Sequence, residues 1–253
     1  MTLARRMSAG LLGLLLLVAL LATIWVPGRD GGTLARLLLA TRGTVLLSLA
    51  VIVIAIPLGL LLGVLAARGG PLLDGLLARG IEVTGALPAV VLVAVVQAGV
   101  PERSAAGLLI ALVALFALRT ARLVRGELLQ LGAAPFVEAA RALGVPPGRL
   151  ALRHLLPHVL DPVAVTAAFA AAAVVALEAA LGLLDLGPPG LTWGALLADR
   201  APSGGLWAAS ALVLATTAAL YVLCDAPAGH GWFRPLRDRL GGIDRADGGL
   251  RGN

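Results

Sequence analysis

Six runs of mostly apolar residues, at 9–26, 44–67, 82–100, 105–118, 159–182 and 205–224, set the limits on what this chain can fold into. A bilayer core takes ~20 such residues to cross, and inside it the backbone must find its hydrogen bonds within the chain. The runs therefore predict an all-α polytopic membrane protein with about six transmembrane helices. The fourth run is the shortest if it ends at Leu118; it either continues to Val124 or leans on Arg119 or Ser104 snorkelling to the interface. A mean hydropathy of +0.97 with 13% charged residues leaves no room for a large water-soluble domain.

Every one of the 20 basic residues is Arg. A phosphate-binding loop of the Walker type needs a Lys, so any ATP hydrolysis must come from another subunit, and the chain is read as non-catalytic. With six spans and an internal N-terminus, fifteen Arg fall in cytoplasmic segments and five outside: Arg29, Arg36, Arg42, Arg103 and Arg200. The positive-inside rule then places both termini in the cytoplasm of a multi-pass inner-membrane protein. The pI of about 11.3 raises nucleic-acid binding, but these Arg border apolar spans and form no soluble basic face, so membrane anchoring is the reading. Arg5 and Arg6 ahead of an apolar run resemble a signal peptide, yet no small-residue cleavage site precedes Trp25-Val26-Pro27, which predicts an uncleaved first helix.

Metal and cofactor chemistry find no support. His154 and His158 stand four apart, but no Glu follows the first and Pro157 interrupts the helix that would align them. There is no His-Glu-x-x-His, no Gly-x-Ser-x-Gly and no mid-span carboxylate pair, which sets aside an intramembrane enzyme. Cys224, the single cysteine, forms no internal disulfide and is expected to pack as a small hydrophobe. Trp25, Trp193 and Trp207 all fall on the outer side and read as an aromatic belt.

Along the chain, residues 1–43 form a first helix and an extracytoplasmic linker, 44–225 the main transmembrane module, and 226–253 a cytoplasmic tail. Gly59 and Gly63 make a Gly-x-x-x-Gly face for close packing of a neighbouring helix, next to a kink at Pro57.

The polar stretch within 133–158 carries the functional signal. Pro135 suits a first helical position and Gly144 a left-handed cap, bracketing a short helix. Phe136, Ala140 and Leu143 share one apolar stripe, while Glu138 and Arg141 are spaced to pair. Pro146-Pro147-Gly148 stops that helix, a second turn follows from Arg149, and Pro157 opens the next membrane helix. The result is a helix-turn-helix projecting from the membrane, too small to have a core of its own. Its Ala139-Ala140 surface permits close approach of a partner groove.

The spacing of Glu138-Ala139-Ala140, Gly144 and Leu156-Pro157 closely resembles the "EAA" loop by which permeases of ATP-binding-cassette importers dock their ATPase. Ala121-Arg122-Leu123-Val124-Arg125-Gly126, Leu152-Arg153-His154-Leu155-Leu156-Pro157-His158, and Leu184-Asp185-Leu186-Gly187-Pro188-Pro189 followed by Thr192-Trp193-Gly194 extend the likeness to the second permease of dipeptide, oligopeptide and nickel importers. His154 stands where the wider superfamily often has Ile, and the tail after Cys224 departs from the usual Gly-Asp-rich ending. The resemblance implies a type I importer permease fold with a cytoplasmic coupling helix. It assigns ATPase docking to Phe136, Glu138, Ala139, Ala140, Arg141, Leu143 and Gly144, with Pro135, His154, Leu156 and Pro157 shaping the loop. It also implies a homologous permease, two ATPases and an extracytoplasmic solute-binding protein as partners, and peptides, nickel or related small solutes as cargo.

Glu178 lies in an apolar segment where an ionised carboxylate costs several kcal/mol unless it faces protein or water. It is either a residue of the solute path or of an inter-helix contact, or a group at the interfacial end of the fifth helix. A secondary transporter is the rival reading; it predicts inverted repeats and midplane ionisable groups, and neither is visible.

Overall fold

The computed structural model describes residues 7, 9–18, 32–68, 70–99, 104–150, 155–188, 190–198 and 205–224. Every regular element among them is a helix: α1 Ala9–Val18, α2 Thr33–Arg68, α3 Gly70–Ala86, α4 Ala89–Gly99, α5 Ala105–Gly132, α6 Pro135–Ala142, α7 Pro147–Leu150, α8 Leu156–Leu183, α9 Trp193–Ala198 and α10 Gly205–Cys224. By length and hydropathy α2, α5 and α8 each suffice to cross a membrane, the α3–α4 pair supplies a fourth, bent span, and α1 and α10 are shorter apolar helices.

Three boundaries differ from expectation. Residues 33–43, expected within the extracytoplasmic linker, are the first turns of the 36-residue α2, which also runs on through Pro57. The third run is broken, with the axes of α3 and α4 at 101°. Pro88 supplies the reason, having no N–H to donate and a ring that clashes with a preceding helical turn. The fourth run is a 28-residue helix and does not stop at Leu118. Ser104 is its N-cap, accepting the Gly107 N–H at 3.0 Å, and Arg119 and Arg122 lie well inside it.

Helices α2 and α5 meet through small residues. A Cβ added at Gly59 would lie 2.5 Å from Thr120 Cβ and 2.6 Å from the Ala117 carbonyl; one at Gly63 would lie 2.6 Å from Val124 Cβ and 2.7 Å from the Ala121 carbonyl. Only glycine permits this approach, so the expected packing role of the Gly-x-x-x-Gly face holds. The pairing of 59 with 120 and 63 with 124 also makes α2 and α5 parallel. The chain must therefore return across the membrane between them, and the bent α3–α4 pair makes that return. Helix α8 runs the opposite way, with Glu178 beside Thr44 while Val159 and Val163 pack near Ile56, Leu60 and Val64. Val51, Ala55, Val93, Leu108, Leu112, Leu115, Val174 and Leu181 fill the centre where α2, α4, α5 and α8 converge. An ion pair between Asp74 and Arg125, with Nη2 to Oδ2 at 2.8 Å, ties α3 to α5.

Candidate docking loop and the latch at the opposite end

After α5 the chain turns at Ala133 and Ala134 and enters α6. Pro135 occupies the first position, where its missing N–H would have had no helical partner. The Val137 and Glu138 N–H groups donate to the Ala134 carbonyl at 2.9 and 3.3 Å. At the far end Gly144 adopts φ 76°, and the Val145 N–H reaches back to the Ala140 carbonyl at 3.1 Å. That is the six-to-one bond of a Schellman cap, with Gly144 as its left-handed residue. Nothing lies within 4 Å of the place a Cβ would take there, so the demand for glycine comes from backbone conformation and not from space.

The loop is not a free-standing knob. Val137 is fully buried, and Ala140 and Val145 are half-buried, against Val124 and Leu131 of α5, Leu150 of α7, and Leu155, Val159 and Val163 at the start of α8. A satellite core under the loop was missed because its members are scattered over three elements, each contributing one or two residues. Val137, three residues before Ala140, was the available signal. The expected stripe of Phe136, Ala140 and Leu143 is divided: Ala140 faces the base, whereas Leu143 is 84% exposed. Leu143 follows the last helical residue, where the chain is already turning into the αL glycine. Glu138 and Ala142 are exposed with it. The side chains of Phe136, Ala139 and Arg141, and hence the Glu138–Arg141 pair, lie outside the described residues, as does His154. Pro157 sits in the first turn of α8, next to half-buried Leu156, and His158 is exposed.

At the opposite end, α9 is held by side chains from three elements. The Trp193 N–H donates to Thr44 Oγ1 of α2 at 2.9 Å, the Gly194 N–H to Glu178 Oε1 of α8 at 3.1 Å, and the Ala195 N–H to Thr192 Oγ1 at 3.2 Å. The Leu196 N–H then reaches the Thr192 carbonyl at 3.0 Å, so all four N-terminal donors of α9 are satisfied. The Thr44 hydroxyl donates in turn to Glu178 Oε2 at 3.2 Å. Trp193 is completely buried, its indole N–H on Thr41 Oγ1 at 3.1 Å, so it belongs to this latch and not to an aromatic belt. Trp207 is 78% exposed, and Trp25 lies outside the described residues.

Glu178 is fully buried within this network, one turn before Gly182, whose α-carbon lies against the Gly194 backbone too closely for any side chain. The carboxylate is satisfied by one hydroxyl and one backbone N–H from other parts of the chain. Beyond it α8 ends in a second Schellman cap: the Leu186 N–H donates to the Leu181 carbonyl at 2.8 Å, with Asp185 at φ 54°. Sequence reasoning singled out Glu178 but not its pairing with Thr44 and Gly194. Thr44 and Glu178 are 134 positions apart, and no local pattern links them.

Comparison with known proteins gives a consistent picture. Residues 55–226 match the family described as "Binding-protein-dependent transport system inner membrane component". A putative peptide permease protein of Brucella ovis is 32% identical over 209 residues, 77% of this chain and 67% of that protein. The oligopeptide transport system permease protein OppC of Haemophilus influenzae is 34% identical over 176 residues; the match takes in 69% of this chain but little more than half, 56%, of OppC. In three dimensions the chain is similar to an inward-facing structure of the MetNI methionine ABC transporter, with a TM-score of 0.52 and 20% identity, over 77% of this chain and 91% of the other.

Proposed function

The chain belongs to the family of binding-protein-dependent transport system inner membrane components, and from that premise we propose that it carries peptides and docks a cytosolic ATPase through residues 133–158. It is a permease component of an ATP-binding-cassette importer with the type I importer permease fold. The names of its Brucella and Haemophilus relatives support peptides over nickel as the solute.

The observation that carries the docking assignment is the construction of the loop. Helix α6 is closed by the Gly144 cap and seated on Val137, while Glu138, Ala142 and Leu143 project from it without being needed for its support. A lever that transmits motion must be stiff at its base and free at its contact surface. The Glu138-Ala139-Ala140 spacing supports the same reading, with Pro135, His154, Leu156 and Pro157 as shaping residues. In this reading the translocating module runs to 225 and takes in the whole of α2 from Thr33, ahead of the boundary expected at 44, with an added helix and its linker before it and 226–253 a cytoplasmic tail. With Arg119 and Arg122 set aside because they lie within α5, thirteen Arg against five still support placing the loop and both termini in the cytoplasm.

The assembly comprises this chain, a homologous permease, two ATPases that perform the hydrolysis, and an extracytoplasmic binding protein. Closure of the ATPases on ATP moves the loop as a rigid body and switches the helices between inward- and outward-facing arrangements. Uptake of labelled di- and tripeptides by cells carrying the complete transporter tests this reading. Glu138→Lys should abolish uptake and weaken co-purification of the ATPase while the permease still inserts. A fully active, fully assembled variant overturns the docking role.

A further inference from the structure

Helix α5 carries a polar stripe that the docking loop and the latch leave unused. Arg119, Arg122, Gly126 and Gln130 recur at intervals of three and four along one face, and with Leu123 and Glu127 they border an open groove of about 310 Å³ on the surface of this one helix. Arg119 and Arg122 are both exposed; the guanidinium of Arg119 lies 5.8 Å from the Phe116 ring centroid, and among the described residues neither Arg has a carboxylate partner.

The depth of this stripe follows from the packing of α2 on α5. Gly59 is level with Thr120 and Gly63 with Val124, which puts Arg119 level with Leu58 and Arg122 with Leu61. Between Arg42 and Arg68, α2 holds no ionisable side chain, and at 1.5 Å per residue this stretch spans roughly 37 Å, enough to contain a hydrocarbon core of ~30 Å. On the same scale Arg119 lies roughly 15 Å and Arg122 roughly 10 Å from the level of Arg68 toward the membrane centre. An Arg side chain snorkels over a shorter distance than the first of these, and a guanidinium left facing lipid at such depth is costly. Charged groups inside the bilayer face water-filled cavities or protein and mark the paths of solutes.

We propose that Arg119 and Arg122 line a water-filled path open to the loop side and hold the carboxylate of the passing solute. This rests on the permease reading above and adds to it a ligand chemistry. Two guanidiniums one turn apart, rising from the polar mouth formed by Glu127 and Gln130, suit a carboxylate-terminated solute because each presents a planar fork of donors.

The test uses membranes containing the whole transporter, in a Cys224→Ser background. Arg119→Cys and Arg122→Cys are made singly, with exposed Leu143→Cys as the reference, and each is treated with an anionic sulfonatoethyl or a cationic trimethylammonioethyl methanethiosulfonate. Both substituted positions should be modified from the loop side. At each, the anionic reagent should be favoured severalfold more than at Leu143→Cys, because one guanidinium remains beside the thiol. Absence of modification means that the stripe faces lipid or a subunit and overturns the path. Modification with the same charge preference as the reference overturns the carboxylate site. Uptake by the unmutated transporter is scored separately: if no peptide enters, the solute assignment fails while the labelling result still decides whether the stripe is wet.

Discussion

The two ends of α8 solve the same problem in different ways. Each adjoins a Schellman cap with a left-handed residue, Gly144 at the loop and Asp185 at the latch. At the latch the polar groups turn inward: Thr44 donates to Glu178, these two and Thr192 accept the first N–H groups of α9, and Thr41 accepts the Trp193 indole N–H, all of them nearly or fully buried. At the loop Val137, Leu150 and Leu155 turn inward, while Glu138, Ala142 and Leu143 are left open. A closed polar network holds two elements in one register, because breaking it leaves orphaned donors in a dry place. An apolar base beneath an open face fixes an element while leaving its surface available. Substitutions at the latch should therefore show first in stability, and those at the loop first in transport.

The largest expected effect is at Glu178. Glu178→Ala strands the Gly194 N–H and the Thr44 hydroxyl, at a cost of about 2–5 kcal/mol, and should lower the thermal unfolding temperature of the detergent-purified protein sharply. Glu178→Gln keeps an acceptor and should lose less. Unchanged unfolding of the Ala variant would break the contrast at its stronger end.

Next is Gly182→Ala, whose methyl would meet the Gly194 backbone and force α8 and α9 apart. Overpacking of this kind costs about 1–3 kcal/mol, and the same unfolding measurement reads it.

At the loop, Gly144→Val places a β-branched residue at φ 76°, a strain of about 1–2 kcal/mol. Here stability should fall modestly while peptide uptake is lost, because the cap sets the direction of α6. If Gly144→Val lowers uptake only in proportion to its loss of folded protein, the loop is a structural hairpin.

The smallest effect is at Asp185. Asp185→Gly relieves a left-handed non-glycine residue but also removes the side chain's own contact, so stability should shift by no more than about 1 kcal/mol, with uptake unchanged. A fall in stability would show that the Asp185 side chain contributes more to the latch than its backbone strain takes away.

Much of this architecture was legible beforehand because it rests on short-range rules. The Pro135 start, the Gly144 cap and the Pro157 opening of α8 each depend on residues within one or two turns, and all three stand in the structure. The break at Pro88 obeys an equally local rule, but it lies within a run whose hydropathy alone suggested continuity. The turn of the candidate docking loop was legible by spacing. Its base was not, because Val137, Leu150 and Leu155 are single apolar residues in polar surroundings and become a core only when α5, α7 and α8 converge.

What the sequence by itself determined is the class of molecule: apolar runs of membrane length leave the backbone no option but helices, and Pro135, Gly144 and Pro157 mark where the loop helix starts and stops and the next begins. Tertiary structure alone decided that Glu178 and Trp193 form a latch, that Arg119 lies at the level of Leu58, and that the third and fourth runs are a bent span and an overlong one. The reason is that hydropathy and capping act over a few residues and a few ångströms. Which buried donor meets which acceptor, and how deep a charge lies, depend on the register between helices, and here that register is set by pairs such as Gly59 with Thr120 and Thr44 with Glu178.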